Sequence, residues 1–498
     1  MPQPLSKEQR GLLERVVKEA REVAEAAGRA ALERIAVGRQ AAHPEMTPEQ
    51  KDLRKQLRAH GRQLGDPLGG GSGQGLDRLA EEVAYEHWHR MLFARFLAEN
   101  DLLMLLDGGR PVAISLAECE ELARDEKLAN GWEMAARCAA RMLPQIFRPD
   151  SPVFRLALAP ERQRRLEDLL AGLPRELFLS PDALGWIYQF WQSKQKEDIN
   201  ASEVKIGERE LSAVTQLFTE PYMVSFLLDN TLGAWWYARY IGVLHDLGKA
   251  DADDEFQARL RAAVPGVPLK HLRLLRDADG AWVPAASAFE HWPDKLSELR
   301  LLDPCCGSGH FLTAAFRMLV PLRMKAENLD PGKAIDLVIS QNLYGLELDR
   351  RCVELAAFAL ALEAWRYPGG NPPFRFDTPG AGFDRGKFSL PLGYRKLPEL
   401  HLACSGLAMG ADRKDWKELA GNDKNLAIAL DWLHDAFARA PILGSLIDPL
   451  KIDSPQGLDR KKVFTLLRQA LKQEEKDAVR LEAAVAAQGL AKAAEILS

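Results

Sequence analysis

One dodecapeptide limits this chain more than any other feature. Residues 301–312 read LLDPCCGSGHFL. An apolar stretch ends in Asp303, passes through a tight Gly-Ser-Gly loop and opens a helix expected from His310 to about Val320. A strand that feeds a helix through such a loop belongs to an α/β sheet with a ligand crevice at its strand ends. At Gly307 and Gly309 a Cβ is expected to collide with a ligand, and the amides at the helix start suit a carboxylate or phosphate. A bare Gly-x-Gly is an ordinary turn. Asp-Pro-Cys-Cys before it and Phe-Leu after it make this one a ligand loop.

The rest of the chain sets the frame around that loop. Its 498 residues suit two or three domains. A net charge of −5 excludes a binder that holds DNA by charge alone, though not a local basic groove. No uncharged apolar run reaches the length of a spanning helix, and the first twenty residues hold no apolar signal core. The six cysteines, at 119, 138, 305, 306, 352 and 404, show no zinc-like spacing and read as reduced thiols of a cytoplasmic protein.

The first sixty residues are charged and helical in period. GGGSGQG at 69–75 reads as a flexible linker, and a strong helical pattern runs over 76–106. His87 and His89, two apart, diverge on that helix and read as packing or solvated residues. GWIYQFWQ at 185–192 reads as core-closing aromatics. After about residue 200, short apolar strands alternate with helices, which predicts a parallel sheet. The expected organisation is a charged helical segment (1–68), a helical domain (76–200), an α/β core (205–410) and a helical tail (411–498).

DPCCGSGHFL resembles motif I of amino-group DNA methyltransferases, with Asp303, Pro304, Cys306, Gly307, Ser308, Gly309, Phe311 and Leu312 matching. GWIYQFWQ, LFTEPYMVSFLLDNTLGAWW, LYGLELDRRCVELAAFALALEAWRY, LPELHLACSG and LGSLID extend the likeness over roughly residues 76–450. Together they resemble the large adenine-specific methyltransferases of Eco57I type, and within these the enzymes of the BREX and DISARM phage-defence systems. The resemblance implies an α/β fold: a helical N-terminal domain, an incomplete Rossmann-like core that binds S-adenosyl-L-methionine, and a helical tail. It implies double-stranded DNA as substrate, no metal in the transfer, and partners that include a C-terminal methyltransferase half and other defence subunits.

It also names site residues. A carboxylate ending the second strand, at 343–348, would accept both ribose hydroxyls: Glu347 first, Asp349 second. Thr219 and Pro221 resemble motif X, which closes over the methionine end, although Glu220 is inserted between them. Thr219 would also N-cap a helix over 221–232. Ser405, after a third strand at 399–404, would face the adenine.

The catalytic tetrapeptide of these enzymes is Asn/Asp-Pro-Pro-aromatic. An amide oxygen and a prolyl carbonyl accept the two hydrogens of the adenine amine, and the ring stacks on the flipped base. The chain offers Asn371-Pro372-Pro373-Phe374, but after a helix and ahead of the third strand, so a proline-rich loop is the reading preferred here. The sequence therefore resembles the N-terminal part of a longer enzyme. A non-catalytic cofactor- or DNA-binding subunit is the alternative. A third reading, a metal phosphohydrolase, rests on His245-Asp246-Leu247-Gly248-Lys249, where Gly248 is as readily a helix C-cap.

Overall fold

The computed structural model describes residues 4–69, 73–106, 111–148, 151–180, 182–201, 219–241, 266–267, 269–370, 390–391, 393–405, 420–437, 452–455 and 457–474. Its N-terminal body is built of helices. Helix α1 (Lys7–Arg34) starts in a capping box: Ser6 accepts from the Gln9 amide and the Gln9 side chain returns to the Ser6 amide. Helix α2 (Pro48–Gln63) starts the same way at Thr47. Helix α3 (Asp77–Glu99) lies at the centre, with Leu79, Val83, Trp88, Leu92 and Phe96 fully buried. Around it come α4 (Leu116–Asp125), α5 (Gly131–Met142), α6 (Pro160–Ala171) and α7 (Ala183–Ala201). Residues of α1, α2 and α3 share one core.

The aromatic run on α7 closes that core, as expected. Tyr188, Phe190 and Trp191 are buried, and Trp191 stacks on Trp88 with centroids 6.2 Å apart. The two described ends of the glycine-rich stretch are a correction. Leu68–Gly69 pairs antiparallel with Gly73–Gln74, and the Gln74 amide donates to Gly38 O at 2.9 Å. A Cβ on Gly73 would stand 2.6 Å from that same carbonyl, so this glycine permits a close backbone approach rather than a loose linker.

The second body opens with α8 (Pro221–Leu228), which continues through two wide π-type turns around Ala234–Trp236. Trp235 and Trp236 are buried there, and Asn230 holds the first turn by donating to Phe226 O and His271 O. After a hairpin (Leu274–Arg276 with Trp282–Pro284) the α/β units follow. They are β1 (Leu301–Asp303), α9 (His310–Glu327), α10 (Pro331–Gln341), β2 (Leu343–Glu347), α11 (Arg350–Arg366) and β3 (His401–Cys404). The sheet is parallel in the order β3–β2–β1, with Leu301 opposite Leu343 and Cys404 opposite Glu347. Helix α9 runs past its expected end with Pro321 inside it. Leu319, Val320 and Leu322 around that proline are fully buried, and their packing outweighs the one lost hydrogen bond.

Helix α11 is the wall between the bodies. Cys352, Leu355, Phe358, Leu362 and Trp365 belong to the helical core, while Ala356, Leu360 and Ala364 belong to the α/β core. Phe358 stacks on Phe93 of α3 with centroids 4.0 Å apart. Toward the C-terminus, α12 (Lys424–Phe437) and α13 (Arg460–Glu474) enclose a small core of Leu430, Leu433, Val463 and Leu467. Among the described residues no helix is long and apolar enough to cross a membrane.

Candidate functional site

The parallel register brings Asp303, Glu347 and Ser405 to one carboxyl edge of the sheet, where open α/β sheets hold ligands. The 304–309 loop is tied to the neighbouring strand: the Cys306 amide donates to Leu346 O at 2.9 Å, and the Gly309 amide donates to Cys306 O at 2.8 Å. Asp303 turns the chain by accepting from the Cys305 amide at 3.2 Å, and burial raises its carboxyl above the ordinary range. Cys306 is buried and its thiol is pushed up by burial, so it packs and does not react.

The two loop glycines differ. Both have positive φ, +52° at Gly307 and +79° at Gly309. A Cβ on Gly307 would meet nothing within 4 Å, which leaves its backbone open to an incoming group. A Cβ on Gly309 would stand 2.8 Å from Ala356 Cβ and 2.9 Å from Ala356 Cα. Its bareness therefore serves the packing of loop on α11, where the sequence suggested ligand clearance. Gly309 is also the N-cap of α9 and offers no side-chain cap, so the amides of the first turn face the loop mouth.

Glu347 closes the opposite side. Its Oε2 accepts from the Gly307 amide at 2.8 Å, and its Oε1 accepts from the Leu348 and Asp349 amides at 2.7 and 3.0 Å. Burial raises its carboxyl, and the three amides act the other way. Ser405 lies beside it, donating from both its amide and its hydroxyl to Glu347 O. Asp349 is engaged elsewhere: it caps α11 through the Arg351 amide and pairs with the Arg351 guanidinium. Phe311 is half-buried on the α/β core, behind the loop.

Pro221 is the first residue of α8, which packs on α9. Thr219 does not cap it. The N-cap is Glu220, with no side-chain cap bond, because the inserted glutamate moves Thr219 one residue too far out. Asn371, Pro372, Pro373 and Phe374 lie outside the described residues. So does the string from His245 to Lys249. Gly370, just before the tetrapeptide, pairs antiparallel with Leu390 past the far end of α11. That helix has 17 residues, about 25 Å at 1.5 Å per residue, and its other end adjoins Glu347.

Sequence reasoning missed the supports of the site. A Cβ on Gly345 in β2 would lie 2.7 Å from Leu402 Cδ2 and 2.9 Å from Leu312 Cδ1, so a bare strand residue seats the loop and α9. Tyr188 accepts from the Cys352 thiol at 2.7 Å, and Tyr85 lies under Arg351 with its guanidinium 5.6 Å from the ring centre. These tyrosines of the helical body brace the first turn of α11. Only a glycine at the middle of an apolar strand signalled any of this.

Residues 283–368 match the DNA-methyltransferase domain of MmeI. The chain is 26% identical over 327 residues to the adenine-specific methyltransferase BrxX of Escherichia coli O9:H4 (strain HS), which is 58% of this chain and 25% of that protein. It is 25% identical over 328 residues to the adenine-specific methyltransferase PglX of Lacticaseibacillus casei (strain Zhang), 58% of this chain and 26% of PglX. A putative type II restriction enzyme and methyltransferase of Methanocaldococcus jannaschii is 26% identical over 192 residues, 38% of this chain and 14% of its own. The chain thus spans about a quarter of the length of BrxX or PglX.

Proposed function

We propose that this chain binds S-adenosyl-L-methionine at the 303–309 loop and Glu347. In this reading it is the cofactor-holding part of an adenine-specific DNA methyltransferase of a phage-defence or restriction–modification system. The observation that carries the reading is the Gly307–Glu347 pair: an open backbone position hydrogen-bonded to a buried carboxylate on the adjacent strand end. The similarity to named methyltransferases supports it. The Rossmann-like core falls within 205–410, flanked by helical parts at 1–68, 76–200 and 411–498, and the protein works in the cytoplasm on double-stranded DNA.

The residues fit the cofactor. Glu347 takes the ribose hydroxyls, with Asp349 held back by Arg351. A carboxylate has about four acceptor positions, and backbone amides fill three of those on Glu347. A second ribose hydroxyl must therefore displace one of these amides as it binds. Asp303, Pro304, Cys306 and Ser308 shape the loop, and Phe311 anchors the helix behind it. The first amides of α9 face the carboxylate of the methionine part. Thr219 and Pro221 begin the segment that covers this end, and Ser405 faces the adenine. Bound there, the cofactor supplies the methyl group.

The base-holding half is a separate matter. Transfer needs two acceptors on the adenine amine and an aromatic platform for the flipped base. Asn371–Phe374 is the one string of that type in the sequence, and it precedes β3. Among the described residues β1 has no partner on the side away from β2, the side where a fourth strand bearing the tetrapeptide belongs in this reading. Other defence subunits and a C-terminal methyltransferase half are the partners it implies.

The test is tritiated methyl transfer to adenine-rich duplex DNA by the 498-residue chain. The expected result is cofactor binding with little or no transfer, because absent acceptors forfeit about 100–1,000-fold each. Restoration by a segment carrying Asn-Pro-Pro-Tyr would support the reading. Robust transfer abolished by Asn371→Ala would make 371–374 the catalytic motif. Failure to bind the cofactor at all would end the proposal.

A further inference from the structure

The helical body holds its densest buried charge where α3 faces the first turns of α11. Glu86 and His89, three residues apart on one face of α3, meet Glu354 of α11. One ligand atom from each lies within 4.8 Å of the others, and the side chains are 1%, 1% and 6% exposed.

The carboxylate oxygens divide into two pairs. Glu86 Oε1 and Glu354 Oε1 face the guanidinium of Arg148, the second at 3.1 Å. Glu86 Oε2 and Glu354 Oε2 face the imidazole, 3.9 Å from Nδ1 and 3.7 Å from Nε2. Those separations are too long for hydrogen bonds, and neither Oε2 nor either ring nitrogen makes one. Burying four such atoms unsatisfied is costly, and such a group calls for a missing partner. Tyr85 stacks on the imidazole at 4.8 Å and Phe93 meets it edge-on at 4.6 Å, which fixes the ring where it stands.

We propose that Glu86, His89 and Glu354 hold a divalent transition-metal ion, with zinc the best fit. One nitrogen and two carboxylates suit zinc, and bonds of about 2.1 Å set two ligand atoms roughly 3.4–3.9 Å apart on one ion. Histidine ligates through one nitrogen. Arg148 is the outer partner: it grips the Oε1 atoms and turns the Oε2 atoms toward the ion. The ion clamps α3 to α11 and so joins the two bodies. The site does not depend on the methyltransferase reading.

The test uses the full, untagged 498-residue chain, stripped with chelator and then dialysed against Zn²⁺. About one zinc per chain by elemental analysis and a raised melting temperature are expected. Co²⁺ in its place should give visible absorption bands without a thiolate charge-transfer band. The double substitution His89→Gln with Glu354→Gln should weaken zinc binding on the order of 100-fold or more. His245→Ala with Asp246→Ala should leave it unchanged. If circular dichroism shows the first variant unfolded, His89→Asn and the Co²⁺ spectrum of the unaltered chain decide. No zinc above background together with no Co²⁺ bands would overturn the proposal, as would zinc retained undiminished by a folded ligand variant.

Discussion

The two polar sites that flank α11 are built in opposite ways. At the strand ends of the α/β body the carboxylates are satisfied by backbone: Glu347 by three amides, Asp303 by one. Between α3 and α11 the charged groups lie deep and face other side chains, as Glu86, His89, Arg148 and Glu354 do. A backbone-built site needs only a short run of residues with the right spacing. A side-chain-built site draws on helices far apart in the chain, and its members are individually unremarkable charged residues of amphipathic helices. The first kind suits an open crevice and the second a clamp.

The comparison breaks most forcefully at the shared wall. Phe358→Ala removes the ring stacked on Phe93 and should cost about 3–5 kcal/mol. If α11 couples the bodies, urea unfolding followed by tryptophan fluorescence and by circular dichroism should shift together. Two separated transitions would show that the bodies fold independently.

Gly309→Val tests whether this glycine serves packing. The added side chain meets Ala356 at a positive φ, so a loss of about 3 kcal/mol is expected in denaturant unfolding, together with loss of cofactor binding. Unchanged stability would return Gly309 to the ligand.

Acid should also weaken the fold. Burial lowers His87 to about 4, and burial with Arg317 lowers His310 to about 4. Unfolded imidazole takes its proton near pH 6.5, so between pH 6.5 and about 4 the unfolded state binds more protons and stability falls as the pH drops. Stability measured by urea should decline through that window, and His87→Gln should flatten part of the decline. A flat profile in the unaltered chain would contradict the burial of these rings.

Gly307→Ala is the mildest change. Nothing stands near its added methyl, so only the left-handed φ is penalised, by about 1 kcal/mol. Affinity for S-adenosylmethionine should nevertheless fall, separating the ligand-facing glycine from the packing one. Equal loss of stability in the Gly307 and Gly309 variants would erase that distinction.

Much of the α/β body was legible in the sequence because its signals are local. The first strand and its glycine loop, the second strand and its terminal acid lie where the period and loop chemistry put them. Helix α9 was underestimated because Pro321 reads as a breaker, and only burial on the sheet shows why it is not one. The helical body was legible as helices and as core. The role of Gly345, the bracing tyrosines and the Glu86–His89–Glu354 group was not, since each depends on a neighbour brought in by the fold. Thr219 was misjudged as a cap because one inserted glutamate shifts the register by a residue.

The most direct measurement is calorimetric titration of S-adenosylmethionine into the full chain, beside Glu347→Ala. Carboxylate hydrogen bonds to the ribose should make the variant bind about 1–3 kcal/mol more weakly, roughly 5- to 150-fold in Kd, with folding intact. Equal affinity in the two proteins would contradict the assignment of the cofactor to the Gly307–Glu347 edge.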